Sequence, residues 1–163
     1  MNSKERVLHR EQERGKAAAL NLAYRASNMN NTAIIAEEDY IPVWSEHAVY
    51  SPSHVGYPVQ DDGQIYIILT AHTPAHNPGR RPADLRAIYS LLHTKDPAKA
   101  KSWVAPLGTS GLYMKDEVCT YPHSDGTLHI WCCLCDNTSY PPLAQSANLY
   151  WKDIAPADQF YSL

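Results

Sequence analysis

The chain has 163 residues, 44% of them hydrophobic, which suffices for one ordinary domain or for two small domains joined to a tail. Its formal net charge of −3 excludes the strongly basic surface that nucleic-acid-binding proteins present. No apolar run approaches the roughly 20 residues of a membrane helix, and the charged N-terminus lacks the apolar core of a signal peptide. We therefore expect a protein that is made in the cytosol, without a membrane span and without a nucleic-acid partner.

The N-terminal residues predict a helix from Ser3, as its cap, to about Ala26. The first half of this helix is almost wholly polar, and its apolar residues are concentrated between Ala17 and Tyr24. Such a helix gains little by folding alone, because helices are stabilised mainly by packing an apolar face. We interpret it as an arm that packs on a symmetry mate, on a neighbouring protein or on the rest of the chain.

A second, short helix is predicted from Thr32 to Asp39, capped by Asn31 or Thr32, before the pattern changes to strands and proline-rich loops. Twelve prolines against seven glycines also indicate a loop-rich chain. The basic cluster at 95–101 lies between two strand-rich stretches, and we interpret it as the solvated face of a linker.

Two stretches of the chain repeat one pattern. In each, a β-prone run leads to an Asp-Gly turn (Asp62-Gly63 and Asp125-Gly126), then to a second β-prone run and a Pro-containing loop. Aromatic landmarks recur in the same order, namely Trp44, Tyr66 and Tyr89 in the first copy and Trp103, Trp131 and Trp151 in the second. The pattern predicts a tandem duplication of one small β module.

The predicted fold is therefore mainly β with an N-terminal α-helical arm and two tandem, small, three-stranded β modules. We predict a helical arm over 1–43, a first module over 44–95, a second module over 96–155 and a C-terminal tail over 156–163. Modules with so few strands are marginally stable alone, which favours docking or oligomerisation.

The order of strands, glycine turn, Thr-containing loop and closing aromatic residue resembles the small carbohydrate-binding modules of families 5 and 12. It is more similar to versions of that module in the tail and baseplate-region proteins of prophages, where a turn like Thr70-Ala71-His72-Thr73 is frequent. Residues 4–8, 96–101 and 105–111 are similar to the same group. The resemblance implies a virion tail protein, possessing partners among other tail proteins.

The sequence departs from the carbohydrate-binding family at the sugar site. That family typically has two adjacent exposed tryptophans before the loop threonine, whereas this chain has Thr70-Ala71 in the first copy and Cys135-Asp136 in the second. Neither pair offers an aromatic face, so the module frame is kept without its usual sugar contacts.

No metal site, cofactor or catalytic group is predicted. Cys132 and Cys135 form a C-x-x-C with Cys119, His123 and His129 nearby, but a single pair is a weak zinc motif, and buried cysteines acting as small apolar side chains explain it. The adjacent carboxylates at Asp-rich turns do not have the separation that a glycosidase needs.

These observations lead to one principal hypothesis and two alternatives. The principal hypothesis is a non-enzymatic structural or adaptor component of a phage or phage-derived tail, at the baseplate or fibre end and involved in host-surface attachment. Its arm (about residues 3–27) contacts other tail proteins, and the chain forms a homo-oligomer, with a trimer favoured. The first alternative is a module that binds a bacterial cell-surface glycan, with the loop residues Tyr121 and Tyr140 as contacts. The second is an accessory domain of a cell-wall-active enzyme.

Overall fold

The computed structural model describes residues 2–144 and 147–161, and the ends of the predicted arm and tail (residues 1 and 162–163) lie outside the described residues. It has an N-terminal helix and seven strands in two antiparallel-rich sheets, which confirms a mainly β fold with an α-helical arm. The helices are α1 (Ser3–Arg25), α2 (Asn31–Ala36) and α3 (Ala147–Tyr150). The strands are β1 (Pro58–Asp61), β2 (Gln64–Ile68), β3 (Tyr89–Leu91), β4 (Lys101–Ser102), β5 (Val118–Pro122), β6 (Leu128–Cys133) and β7 (Trp151–Pro156).

Helix α1 has almost the predicted length, but its cap differs from the prediction. Asn2, and not Ser3, accepts a hydrogen bond from the backbone N–H of Glu5 (2.9 Å), while the Glu5 carboxylate accepts one from the Asn2 N–H (2.6 Å). This reciprocal pair satisfies two N–H groups that a helix start otherwise leaves without partners. Helix α2 also differs from the prediction of Thr32 to Asp39, because the side chain of Asn30, and not that of Asn31 or Thr32, caps it, and it ends at Ala36.

The first sheet has the order β1-β2-β3 and is antiparallel throughout. Asp62 and Gly63 join β1 to β2, and both have positive φ (48° and 73°), as a type I′ turn requires. The prediction of a tight Asp-Gly hairpin is therefore confirmed in this sheet.

The second sheet has the order β4-β5-β6-β7, so the prediction of three strands was wrong here. The additional strand β4 lies parallel to β5, with Lys101 beside Cys119. The hairpin of the second sheet, between β5 and β6, also differs from that of the first. Only Gly126 of its Asp125-Gly126 pair has positive φ, and its longer loop is closed by a hydrogen bond from the His123 N–H to the Thr127 carbonyl (2.7 Å).

Four clusters of buried side chains form the core. The first joins the end of α1 to α2 and to the first sheet, the second lies on the other face of that sheet, and the third and fourth cover the two faces of the second sheet. In that order, their central members are Leu22, Ile35 and Ile65; Tyr66 and Tyr89; Cys119, Trp131 and Trp151; and Val118 and Ile130.

The segment between the sheets is not the solvated linker face that the sequence predicted. The ammonium group of Lys99 lies 3.0 Å from a carboxylate oxygen of Glu38, and Lys101 forms a second ion pair with the same carboxylate. Burial raises the pKa of Glu38, but hydrogen bonds and charge from Lys101 and Lys99 outweigh it and leave the pKa lowered. These ion pairs connect the segment after α2 to the edge of the second sheet.

Candidate functional site

The two tyrosines that were predicted as contacts lie in different settings. Tyr121 was predicted to be in a loop, but it belongs to β5 and is half-buried with its ring edge-on to Trp103 (6.0 Å between centroids). The correction arises because the second hairpin turns later than the sequence suggested. Tyr140 is exposed in a loop, and its ring lies 5.2 Å from that of Tyr150.

The six aromatic landmarks are buried or half-buried. Tyr66, Tyr89, Trp131 and Trp151 are buried in the strands, whereas Trp44 and Trp103 are half-buried before them. None of the six forms an open aromatic platform on a strand face.

A cavity of about 390 Å³ lies beside Trp44 in the first sheet's loops. Its walls combine an indole ring, two prolines and the arginine-bearing loop that precedes β3. Its lining includes Trp44, His47, Pro74, Pro78, Arg80 and Arg81.

Trp44 is held rigidly in this wall. Its backbone N–H donates to the carbonyl of Gln60 (2.8 Å), and its indole N–H donates to the hydroxyl of Tyr89 (2.8 Å). Burial raises the pKa of Tyr89 to about 12, so its phenol stays neutral and remains available as an acceptor. The guanidinium carbon of Arg81 lies 5.2 Å from the centre of the Trp44 ring, within cation–π range.

Arg81 is fixed by a carboxylate at the end of β1. Its Nε donates to Asp61 (3.0 Å) and a second N–H completes a bidentate pair, while the Asp61 side chain is only 4% exposed. Such a fork gives geometric specificity as well as charge pairing. The cavity therefore offers a rigid aromatic and proline wall beside cationic groups, which suits a ring-shaped ligand with polar substituents.

The arm presents a second candidate surface. Positions 7, 8, 15, 18, 19, 22 and 26 share one side of a helix with 3.6 residues per turn. Leu22 and Ala26 of this stripe are buried on the first sheet, whereas Val7 and Leu8 are 59% and 61% exposed. We call these seven positions the arm stripe.

A third group of polar side chains converges at the tip of the second hairpin. One ligand atom from each of His123, Asp125 and His129 lies within 4.8 Å of the others. Hydrogen bonds from the Thr127 side chain and backbone lower the pKa of Asp125. On the neighbouring strand β7, both carboxylate oxygens of Asp153 lie 2.8 Å from His129 Nδ1.

The cysteines are not part of that group. Cys119 and Cys133 are buried beside Trp131 and Trp151, and burial raises the pKa of both thiols. Cys135 is exposed beyond the end of β6. The interpretation of buried cysteines as small apolar side chains fits Cys119 and Cys133 and not Cys135.

No protein-family model matches the chain, and no curated protein matches it at a significant level. Within the described residues, no helix has the length and apolar character needed to cross a membrane.

Proposed function

We propose that this chain is a structural or adaptor subunit of a phage or phage-derived tail, at its baseplate or fibre end, with a role in host-surface attachment. The single observation that carries the proposal is the arm stripe, which begins in the core at Leu22 and Ala26 and continues past the body to the exposed Val7 and Leu8. An apolar helix face without a partner gains free energy when another chain covers it. The resemblance to prophage tail and baseplate-region proteins supports the kind of assembly.

The partner is another copy of the chain, in a homotrimer, together with neighbouring tail proteins. Residues 3–16 of the arm have five basic side chains against three acidic ones, whereas the rest of the chain has nine against fourteen. A positive arm is attracted to the negative body of a neighbour, and small residues at positions 15, 18 and 19 permit close approach of two or three helices. The proposal places the chain in the virion and assigns it no catalytic activity.

The two sheets are proposed to be tandem copies of one module, and three sets of backbone contacts support this. Before each module's first hairpin, a tryptophan N–H donates to a strand carbonyl: Trp44 to Gln60 (2.8 Å) and Trp103 to Thr120 (3.0 Å). In each sheet the central aromatic residue also faces the equivalent strand position, with Tyr66 opposite Val59 and Trp131 opposite Cys119.

The second set of contacts closes each module with a reciprocal pair of hydrogen bonds. Tyr50 and His72 exchange backbone hydrogen bonds (2.9 and 2.8 Å), and so do Tyr113 and Thr138 (3.0 and 2.9 Å). The rings of Tyr50 and Tyr113 pack edge-on against the closing aromatic residue of their own sheet, at 6.5 and 5.1 Å.

The third set lies at the start of each hairpin. The Gly56 N–H donates to the Ile68 carbonyl and the Asp116 N–H donates to that of Cys133, both at 2.8 Å. Gly56 and Asp116 both have positive φ (90° and 71°), although only one of them is glycine. A shared left-handed residue at one position is unusual enough to favour common descent.

These contacts define the alignment of the two proposed copies. Val59 corresponds to Cys119, and His72 corresponds to Thr138. Asn137 has φ of 60° and is the extra residue in the second copy's loop. The duplication that we propose is therefore more evident in the backbone hydrogen bonds than in the identities of the side chains.

The oligomer is tested by light scattering coupled to size-exclusion chromatography of the full chain. We expect a mass close to three times 18.3 kDa. Val7→Ser combined with Leu8→Ser should dissociate the oligomer, because both changes fall on the exposed end of the arm stripe. His9→Ser, on the opposite side of the same turns, is the control and should leave the mass unchanged. A wild-type monomer whose α1 amides are all protected from exchange would refute the proposal.

A second candidate function is recognition of a bacterial cell-surface glycan, and the specific observation that favours it is the cavity at Trp44. Its indole face, its prolines and its cationic rim are the elements that sugar and acidic-sugar recognition uses. Binding to host cell wall and to a glycan array should weaken in Arg80→Ser if the cavity is the site, and in Tyr140→Ala if the exposed tyrosine is. Arrays without a single bound glycan would eliminate this candidate.

A further inference from the structure

Four titratable side chains that the proposed function does not use lie together at the tip of the second hairpin. His123 and Asp125 belong to the loop between β5 and β6, His129 belongs to β6, and Asp153 belongs to β7. The rings of His123 and His129 stack with 4.7 Å between centroids and 28° between planes. Three separate segments thus bring two imidazoles and two carboxylates together.

These side chains need to move only a short distance before they could bind one ion together. Nitrogen and oxygen ligands of zinc lie about 2.0–2.1 Å from the metal, so tetrahedral ligand atoms are ~3.4 Å apart. One ligand atom from each of His123, Asp125 and His129 already lies within 4.8 Å of the others. Side-chain rotation in a hairpin loop is enough to close a gap of this size.

The acidic members of the group are held in place by neighbours. One carboxylate oxygen of Asp125 accepts hydrogen bonds from the Thr127 backbone N–H (2.9 Å) and hydroxyl (2.6 Å). Asp153 lies 2.8 Å from His129 Nδ1 and 3.7 Å from His123 Nε2. A carboxylate beside a ligating histidine fixes the ring orientation and raises the basicity of the imidazole.

We propose that His123, Asp125 and His129 bind one first-row divalent cation, with Zn²⁺ as the expected ion, and that Asp153 is the residue that positions His129. Two imidazoles and one carboxylate are a donor set that suits Zn²⁺ and, in the order of intrinsic affinity, Ni²⁺ and Cu²⁺. Solvent supplies the remaining ligand, because Asp125 is exposed and His123 and His129 are half-buried. The ion fastens the hairpin loop to β6, and through Asp153 to β7. This inference does not depend on the proposed tail function.

Isothermal titration of the full chain with ZnCl₂ tests the site. We expect one Zn²⁺ per chain, with affinity at least tenfold lower in Asp125→Ala and in His129→Ala, and roughly 10–100-fold lower in Asp153→Asn. Asp125 is exposed in the loop, so Asp125→Ala reports on the site even if His129→Ala does not fold. Melting temperature should rise with Zn²⁺ concentration in the wild type and not in Asp125→Ala.

Two control variants separate this site from other zinc-binding groups. His76→Ala removes an exposed histidine of the first sheet's loops, and Cys135→Ser removes the exposed thiol. Both should bind Zn²⁺ as the wild type does. Loss of binding in Cys135→Ser with retention in Asp125→Ala would overturn the proposal and assign the ion to the cysteines.

A spectroscopic readout locates the ion independently of heat. The His123 ring stacks near that of Trp131, with 5.9 Å between centroids and 13° between planes. Ni²⁺ or Cu²⁺ bound to His123 should therefore quench part of the tryptophan fluorescence, and His123→Ala should abolish that quenching. The absence of both calorimetric heat and quenching in the wild type would overturn the proposal.

Discussion

Replacing Tyr89 by phenylalanine tests the hydrogen-bonded centre of the first sheet. The Tyr89 ring is fully buried, and its hydroxyl accepts a hydrogen bond from the indole N–H of Trp44 and lies within hydrogen-bond distance of Nε2 of His72. The substitution keeps the ring and removes only the hydroxyl, so it leaves two polar groups without this partner.

The magnitude follows from the burial of those partners. A buried polar group that loses its partner costs about 1–3 kcal/mol, and Trp44 and His72 are half-buried, so water replaces part of the loss. We expect the free energy of unfolding to fall by about 2 kcal/mol, which corresponds to a melting temperature roughly 4–8 °C lower for a chain of this length.

The assay is urea unfolding followed by tryptophan fluorescence and far-UV circular dichroism, with Tyr66→Phe as the matched control. Tyr66 is also a buried tyrosine of the first sheet, 6.3 Å from the Tyr89 ring, but among the described residues its hydroxyl makes no hydrogen bond. Loss of the Tyr66 hydroxyl should lower the free energy of unfolding by less than about 0.5 kcal/mol. Equal destabilisation by both substitutions would show that the hydroxyl network of Tyr89 is not the cause.

Three further predictions concern His93 and residues of the second module. Burial lowers the pKa of His93 to about 4. Between about pH 6.5 and 4 the His93 imidazole is therefore neutral in the folded chain, whereas it binds a proton in the unfolded chain. The free energy of unfolding should therefore fall by up to about 3 kcal/mol between pH 6.5 and 4, and a pH series of urea titrations should show a smaller slope in His93→Gln. Thr138→Val removes the hydroxyl that donates to the carbonyl of Cys135 (2.8 Å) and should lower the free energy of unfolding by about 1 kcal/mol in the same assay; no change would show that this hydrogen bond does not stabilise the loop. Gly126→Ala should cost about 1–2 kcal/mol by thermal melting, because Gly126 has positive φ and a Cβ there meets no neighbour, whereas Gly111→Ala should cost more, because Gly111 also has positive φ (77°) and its Cβ would lie 2.8 Å from an Arg86 nitrogen.

Local signals in the sequence predicted the elements that depend on local contacts. Helix α1 and the first hairpin follow from a polar-to-apolar helical pattern and from Asp62-Gly63, and both are formed within a few residues of those signals. The cap was misplaced by one residue because Asn2 and Ser3 are both good capping residues.

Non-local pairing explains what the sequence did not predict. Strand β4 has only two residues, and it forms because it pairs with β5, whose residues lie 18 positions later in the chain. So short a segment shows no periodicity from which a strand could be predicted. The place of Asp153 beside His123 and His129 was not predicted for the same reason. Asp153 reaches His129 only because β7 pairs with β6, in a register that includes an irregularity between Ile130 and Trp131.

The base of the arm contacts both sheets. Leu22 and Ala26 at the end of α1 pack with Ile65 of the first sheet, while Glu38 just beyond the helices pairs with Lys101 of the second. A partner that covers the arm stripe would consequently orient both sheets, and not only the one on which the helix rests. Glu38→Gln should then loosen the second sheet from the arm without dissociating the proposed oligomer, because the substitution weakens the ion pairs with Lys99 and Lys101 and leaves the stripe intact. Hydrogen exchange in the oligomer would show this as faster exchange at β4 with unchanged protection in α1, whereas loss of the oligomer in Glu38→Gln would mean that the partner contacts more than the arm.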